Sequence, residues 1–500
     1  MYSLALALLS GVLLFLSFPH FGNGAVAWVA LCPLLVAAAR ASRWEALRLG
    51  LLTGVVHFAG TLYWIPAVMV DYGGLPPAAA WPVHALLVAY LALFPGLFAL
   101  AMADLTGRLG LTGLLLAPAV WVTTELGRIH LFTGFPWALV GYSQVPFPAI
   151  VQVASLAGVL GVSALVLLVN AALAYGAIAG PRAARVPAAI AAAAVTAGLA
   201  FGVWRLQDGA LLVEGVPLRV AALQGNVAQD EKWNPVRSDE ILETYLEQTA
   251  RAAAAGARLI VWPESATPFP LDRDPRAESI RGAARSTGAH LLIGTTEVVA
   301  GDSLRYYNAA YMLDHRGTTT GIYRKQHLVP FGEYVPLRQA LFFVSPLVET
   351  VADFSAGTEV RMLQLDGQPV STAICYEIIY PGLVRELVLA GSRLLTTVTN
   401  DAWYGRSAAP YQHFQQATMR AIEQGRFLVR AANTGISGVI DPYGRVMVQS
   451  ALFEPAVVVG NVRLLDGPTV YGLIGDAPAY AGVAITVLAL GAGRRRAVRG

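Results

Sequence analysis

Charge and cysteine are what this 500-residue chain has least of. Only 13% of its residues are charged, where soluble domains carry roughly a quarter. Hydrophobic residues make up 56%, and mean hydropathy is +0.55. That balance excludes an ordinary soluble enzyme. The two cysteines, Cys32 and Cys375, are too widely separated to suggest a disulfide framework. No HExxH or paired CxxC spacing is present, so neither a metal nor a cofactor is expected. A Gly-rich phosphate loop is also missing, which argues against a nucleotide fold.

The charge that exists is unevenly placed: long stretches of the first 205 residues lack it, and most lies between about 217 and 465. Eight candidate spans follow, at about 3–19, 25–40, 47–69, 79–103, 110–126, 150–179, 187–205 and 472–492. Each is roughly long enough for a hydrocarbon core of about 30 Å at 1.5 Å per residue. The first lacks a basic flank and a small-residue cleavage site, so it is expected to be retained rather than cleaved. Arg40, Arg43, Arg48, Arg108, Arg182 and Arg185 fall in one alternating set of loops. The tail adds Arg494, Arg495, Arg496 and Arg499, while the opposite loops offer only Arg128. The positive-inside rule then makes both termini cytoplasmic and puts residues 206–471 on the far side, the periplasm of a bacterium. The net charge of +3 is mostly this topology signal and does not point to nucleic acid.

The expected organisation is a seven-span membrane domain over 1–205, an α/β domain over 217–465, a last span at 472–492 and a basic tail at 493–500. In the α/β part, apolar runs at 217–226, 258–264, 290–297, 308–314 and 393–400 predict strands. Ser238 is placed to cap a helix running to about 255. TTGIYRKQHLVPF (319–331) pairs with 308–314 as a hairpin, and a turn closes at Asp441-Pro442-Tyr443-Gly444.

Polar groups gather at strand ends. Cys375 ends a short apolar strand at a Tyr-Glu turn, where a thiol is exposed beside backbone N–H groups. Glu264 closes VWPES after another strand, a setting that raises a carboxylate toward general-base duty. Lys325 and His327 share a face if their strand continues, and Glu333 follows in a Phe-Gly-Glu turn. A thiol, a carboxylate and a cation are the parts of acyl transfer through a thioester. A cation also favours the thiolate. The bland readings are a buried cysteine acting as a small hydrophobe, a carboxylate paired with an arginine, and histidines held in structural hydrogen bonds. A pairing of Cys375 with His327 or His413 stays open, because such pairing is spatial rather than sequential.

VWPES, YRKQHLVPFGEYVP and AICYE together resemble the Glu-Lys-Cys triad of the nitrilase, or carbon–nitrogen hydrolase, superfamily. With seven spans before this region and one after, the chain is similar to the apolipoprotein N-acyltransferases, the membrane family within it. QGN…KW (Gln224–Trp233), NDAWYG (Asn400–Gly405) and RAIEQGR…RAANTGISG (Arg420–Gly438) agree with that resemblance. It implies a multi-pass helical membrane domain joined to an αββα sandwich on the outer face of a bacterial inner membrane. It further implies a ping-pong reaction with Glu264, Lys325 and Cys375 as the catalytic set. A phospholipid, typically phosphatidylethanolamine, would acylate Cys375. The α-amino group of an S-diacylglyceryl apolipoprotein would then take the acyl chain. Glu333, Trp233, Tyr376 and Glu377 match further sensitive positions, with the Tyr376 N–H as a second oxyanion donor.

Two other functions use the same residues: a membrane-tethered amidase acting with water, and a non-catalytic lipid- or lipoprotein-binding relative. The eight spans argue against the first, and retention of all three triad residue types argues against the second. Glu125 and Arg128, one helical turn apart, are either headgroup or lid-positioning groups or an internal ion pair. An apolar arm around 340–355 is expected to dip toward lipid.

Overall fold

The computed structural model describes residues 1–232, 234–301, 304–330, 332–334 and 354–497. Trp233 lies outside this set, as do nearly all of the 340–355 arm and the side chains of the basic tail. Two compact units form: Met1–Ala67, Pro76–Asp208 and Leu473–Gly500 in one, Val68–Leu75 and Gly209–Gly472 in the other.

The second unit holds twelve strands among the described residues. In chain order they are β1 (Val216–Gln224), β2 (Leu259–Val261), β3 (His290–Val299), β4 (Arg305–Leu313), β5 (Thr319–Arg324) and β6 (Leu363–Leu365). There follow β7 (Gln368–Ile374), β8 (Leu395–Thr399), β9 (Leu428–Ala432), β10 (Gly438–Ile440), β11 (Val446–Gln449) and β12 (Ala456–Leu464). They make two six-stranded sheets, ordered β12-β1-β2-β3-β4-β5 and β11-β10-β9-β8-β7-β6.

The same construction recurs in both. β1, β2 and β3 run parallel, joined by the helices Ser238–Ala254 and Ala277–Thr287; β7, β8 and β9 run parallel, joined by Pro381–Leu389 and Ala409–Gln424. Parallel strands need such crossovers and are covered on both faces. Accordingly β2, β8 and β9 are buried along their whole length. Ile241 and Tyr245 of the first helix and Ile280 of the second pack on Leu223, Ile260 and Trp262 of the sheet. Tyr245 stacks on Trp262 at 5.0 Å.

The expected strands at 217–226, 258–264, 290–297, 308–314 and 393–400 are all found, with shifted ends. Ser238 does not cap its helix but begins it; Asn234 instead caps the preceding turn Pro235–Arg237, accepting from the Val236 N–H at 3.0 Å. β5 stops at Arg324, so Lys325 and His327 do not share the face of a continuing strand.

The first unit is helical. Three of its helices are long and apolar enough to cross a membrane: Pro77–His130, Ala154–Ala179 and Arg185–Leu212. A fourth crossing is available if Arg43–Thr61 and Ile65–Asp71, bent by 50°, count as one. Tyr2–Leu16, Gly24–Ala38 and Ala477–Ala492 are shorter apolar helices. Among the described residues, length and composition alone thus pick out three or four of the eight expected spans. The cause is breaks inside apolar stretches. Around Pro33 the helix is interrupted at Leu31. There the buried Asn170 accepts the Leu31 and Cys32 N–H groups at 2.8 and 2.9 Å and donates to Ala27 and Val166 carbonyls. A backbone break inside lipid requires such partners. Within Pro77–His130 the chain passes through a 3₁₀ turn at Gly110–Leu116 and folds back, so that the rings of Phe98 and Trp121 meet at 4.9 Å.

Two charge sets mark this unit. Asp104 pairs with both Arg43 and Arg108, and Arg108 also donates to the Leu490 carbonyl at 2.9 Å. Glu125 and Arg128 are both buried, 3.8 Å apart. Glu125 accepts the Val140 N–H at 2.7 Å, and Arg128 donates to the Trp137 and Ala138 carbonyls. This is an internal ion pair that ties down the loop after its helix.

Candidate active site

The carboxyl ends of the parallel strands in both sheets carry the polar groups, where open α/β sheets bind ligands. Glu264 follows β2, Cys375 follows β7, Asn400 and Asp401 follow β8, and Asn433 follows β9. Lys325 is the first residue past β5, its N–H still bonded to the Asn308 carbonyl.

Glu264 is buried, and its carboxylate is held on both oxygens. One accepts from Asn308 Nδ2 at 2.7 Å and faces Lys325 Nζ at 3.4 Å; the other accepts the Asn400 N–H at 2.9 Å. Its loop is pressed against β3. A Cβ on Gly294 would stand 2.3 Å from the Pro263 carbonyl oxygen and 2.7 Å from Glu264 Cα. Only glycine lets the two backbones come so close.

Lys325 is 1% exposed and lies 2.9 Å from Glu333. Burial pulls its ammonium down, but Glu333, Glu264 and Cys375 together raise it above the ordinary lysine range. It therefore stays a cation. Asn308 Nδ2 also donates to Glu333 at 2.8 Å, so one amide spaces the two carboxylates around the one lysine.

Cys375 sits at φ +54°, in the left-handed region, where β7 breaks into the 3₁₀ turn Cys375–Ile379. That conformation costs a non-glycine residue about 1–2 kcal/mol. Burial pushes the thiol up, as do the charges of Glu264 and Asp401, against Lys325 and a hydrogen bond with Thr399. The resting sulfur is a thiol with a carboxylate and a cation in its field. Tyr376 is the second residue of the turn, and N–H groups in a first helical turn have no partner within the helix.

Glu377 is fully buried, and its role is visible. It reaches back to the Ile374 N–H at 2.7 Å, as a third-position glutamate does in a capping box. It also accepts the Gln326 N–H at 2.6 Å, the His327 N–H at 3.1 Å and the Tyr323 hydroxyl at 3.0 Å. Burial raises it to about 7, while those N–H groups and Lys325 oppose the rise. Glu377 is thus the tie between the Cys375 turn and the segment bearing Lys325.

The histidines do other work. The ring of His327 lies 3.8 Å from Tyr380 and 5.9 Å from Tyr376. Burial, and then the Lys325 charge, lower it to about 4. His413 Nε2 bonds to the carbonyl oxygen of Cys375 at 3.2 Å. Its other nitrogen sits 3.0 Å from both Asp401 and Arg430. Asp401, fully buried, pairs with Arg430 at 2.8 Å. Although burial alone would raise it, Arg430 and His413 hold it down at about 2.

Sequence reasoning named Glu264, Lys325, Cys375, Glu333, Tyr376 and Glu377, and all six meet in this one region; Trp233 lies outside the described residues. It missed Asn308; it had Lys232, Asp401 and Arg430 only as letters of wider motifs, and His413 only as a possible partner of Cys375. A lone amide in the apolar run NAAYM was the available signal for Asn308.

Known proteins resemble this chain over its full length. The Carbon-nitrogen hydrolase family model matches residues 219–466, and that of the Apolipoprotein N-acyltransferase N-terminal domain matches residues 10–172. An apolipoprotein N-acyltransferase of Geobacter metallireducens is 42% identical, covering 99% of this chain and 96% of its own. One of Methylococcus capsulatus is 39% identical, covering 99% and 97%. Among solved structures, an amidase from Nesterenkonia sp. AN1 is 21% identical, with a TM-score of 0.38, over 53% of this chain and 99% of its own.

Proposed function

This chain belongs to the apolipoprotein N-acyltransferase family, and we propose that it N-acylates lipoproteins through a thioester on Cys375. The acyl donor in this reading is a membrane phospholipid, phosphatidylethanolamine for preference, and the acceptor an S-diacylglyceryl apolipoprotein. The observation that carries it is the convergence of Glu264 and Lys325, 3.4 Å apart, on the left-handed turn of Cys375.

Glu264 takes the Cys375 proton, and the thiolate attacks the ester carbonyl carbon. Lys325 and the Tyr376 N–H stabilise the oxyanion. The intermediate collapses, the proton passes from Glu264 to the departing lysophospholipid oxygen, and an acyl thioester remains. The acceptor amine then attacks the thioester, losing its proton to Glu264, and the thiolate leaves and is reprotonated. The product amide is far less reactive than the thioester, so transfer runs forward.

The catalytic unit belongs on the outer face of the membrane in this reading. Asp104 supports it by drawing Arg43 and Arg108 to one side, and the Arg108 bond to Leu490 adds the end of the last helix to that side. The folded-back Pro77–His130 stretch counts as two crossings. With the two other long helices, the bent pair and the three shorter apolar helices, it makes eight, with both termini cytoplasmic.

Incubation with labelled phospholipid should give an adduct that hydroxylamine removes and that Cys375→Ala lacks. An adduct persisting in that variant would sink the reading. Ammonia release from small amides without phospholipid turnover would favour an amidase.

A further inference from the structure

Lys232 is a second buried lysine at this site, and the chemistry above does not use it. It is 3% exposed, in the segment that links β1 to the helix Ser238–Ala254. Its Nζ donates to the main-chain oxygen of Glu264 at 2.8 Å. The next residue, Ser265, has φ +46°, so the peptide that follows the carboxylate is held in a left-handed bend with its carbonyl on the lysine. The segment is tied at several points. Val227 and Asn433 exchange two hydrogen bonds at 3.0 and 2.7 Å, and Gln229 accepts from Asn400 Nδ2 at 2.6 Å. A buried lysine so anchored is held there against a desolvation cost.

We propose that Lys232 is a positioning residue that fixes the main chain of Glu264 and supplies the second positive charge needed for a Cys375 thiolate. The inference rests on the reading of Glu264 as base and Cys375 as nucleophile. Six charged groups lie about the thiol, Lys325, Lys232 and Arg430 against Glu264, Glu333 and Asp401, while Glu377 is engaged by backbone N–H groups. Their charges cancel, and moving the thiol proton to Glu264 keeps the sum at zero. Without Lys232 the thiolate and Glu333 would face a single ammonium. Burial lowers Lys232 from 10.5 to about 8, with Glu264 and then Cys375 opposing the shift. Of the other acids near it, Asp230 is exposed, Glu231 pairs with Arg237 at 2.9 Å, and Asp401 is neutralised by Arg430. The second cation is therefore present below about pH 8 and lost above it.

The test compares wild type, Lys232→Arg and Lys232→Met in two assays across pH: Cys375 alkylation by iodoacetamide, and single-turnover thioester formation from labelled phospholipid. In Lys232→Met the alkylation profile should move up by about one pH unit or more, and thioester formation should fall about a hundredfold, as when a charge-stabilising donor is removed. Lys232→Arg should form thioester within about fivefold of wild type and lose the alkaline limb that wild type shows near pH 8. An unshifted alkylation profile in Lys232→Met, or an alkaline limb that persists in Lys232→Arg, would overturn the proposal. Phospholipid labelling that survives Cys375→Ala would strike instead at the acyl-transfer reading, and the alkylation profiles would still decide the role of Lys232.

Discussion

Lys325 stands closer to Glu333, at 2.9 Å, than to Glu264, at 3.4 Å. The tighter partner is the one that takes no proton in the proposed chemistry. Glu333 anchors the ammonium, and Glu264 is the carboxylate left to accept the proton. Glu333→Gln should release Lys325 onto Glu264 and tie up the carboxylate that must take the proton. Thioester formation in a single turnover should fall about a hundredfold, with the melting temperature little changed.

Gly294 should tolerate no side chain. Its missing Cβ gives room to the backbone of Pro263 and Glu264, which cannot yield as a flexible side chain would. Gly294→Ala should cost about 1–3 kcal/mol in denaturant unfolding. It should also slow thioester formation, because the shift falls on the base itself.

Among the described residues, Asp401 is the anion paired with the buried Arg430, at 2.8 Å. Asp401→Asn should destabilise the fold by about 3–5 kcal/mol, the usual result of leaving a buried charge alone. Adding Arg430→Met should recover much of that loss. A double variant no more stable than Asp401→Asn would show that the pair is not the source.

Acid sensitivity should be traceable to His327. Its folded value of about 4 lies below the ordinary 6.5, so the unfolded chain binds a proton that the folded one refuses. Stability from this group is whole above pH 6.5 and falls as pH drops toward 4. His327→Phe keeps the ring against Tyr380 and removes the titration. Its melting temperature should fall less than that of wild type between about pH 7 and pH 4.5.

The helix break at Leu31 depends on Asn170, whose side chain makes four hydrogen bonds to backbone groups. Asn170→Leu strips two N–H groups of their acceptor in an apolar setting. A loss of about 2 kcal/mol or more is expected, read as a lower melting temperature in detergent.

The site was legible in the sequence wherever chemistry coincides with a strand end. Glu264, Lys325 and Cys375 each follow an apolar run, and that placement is local information. Asn308 was not legible, because its importance comes from lying across from Glu264 and Glu333, residues far away in sequence. Asp401, His413 and Arg430 stand on three successive elements, and their meeting depends on how those elements pack rather than on any local pattern. β6 and β11 are too short to announce themselves, and β11 is mostly exposed. The membrane helices were legible as apolar stretches, but the interruption at Leu31 was not. It is stable only because Asn170, 138 residues beyond Cys32, supplies the hydrogen bonds.

Glu264 hangs from one sheet and Cys375 from the other. Each sheet can form its own strands, yet neither alone holds both proton acceptor and sulfur. Reactivity therefore requires the two layers to be packed together. A chain in which they are apart holds the sulfur without its carboxylate. The fold acts as an interlock that keeps the nucleophile silent until its surroundings are complete.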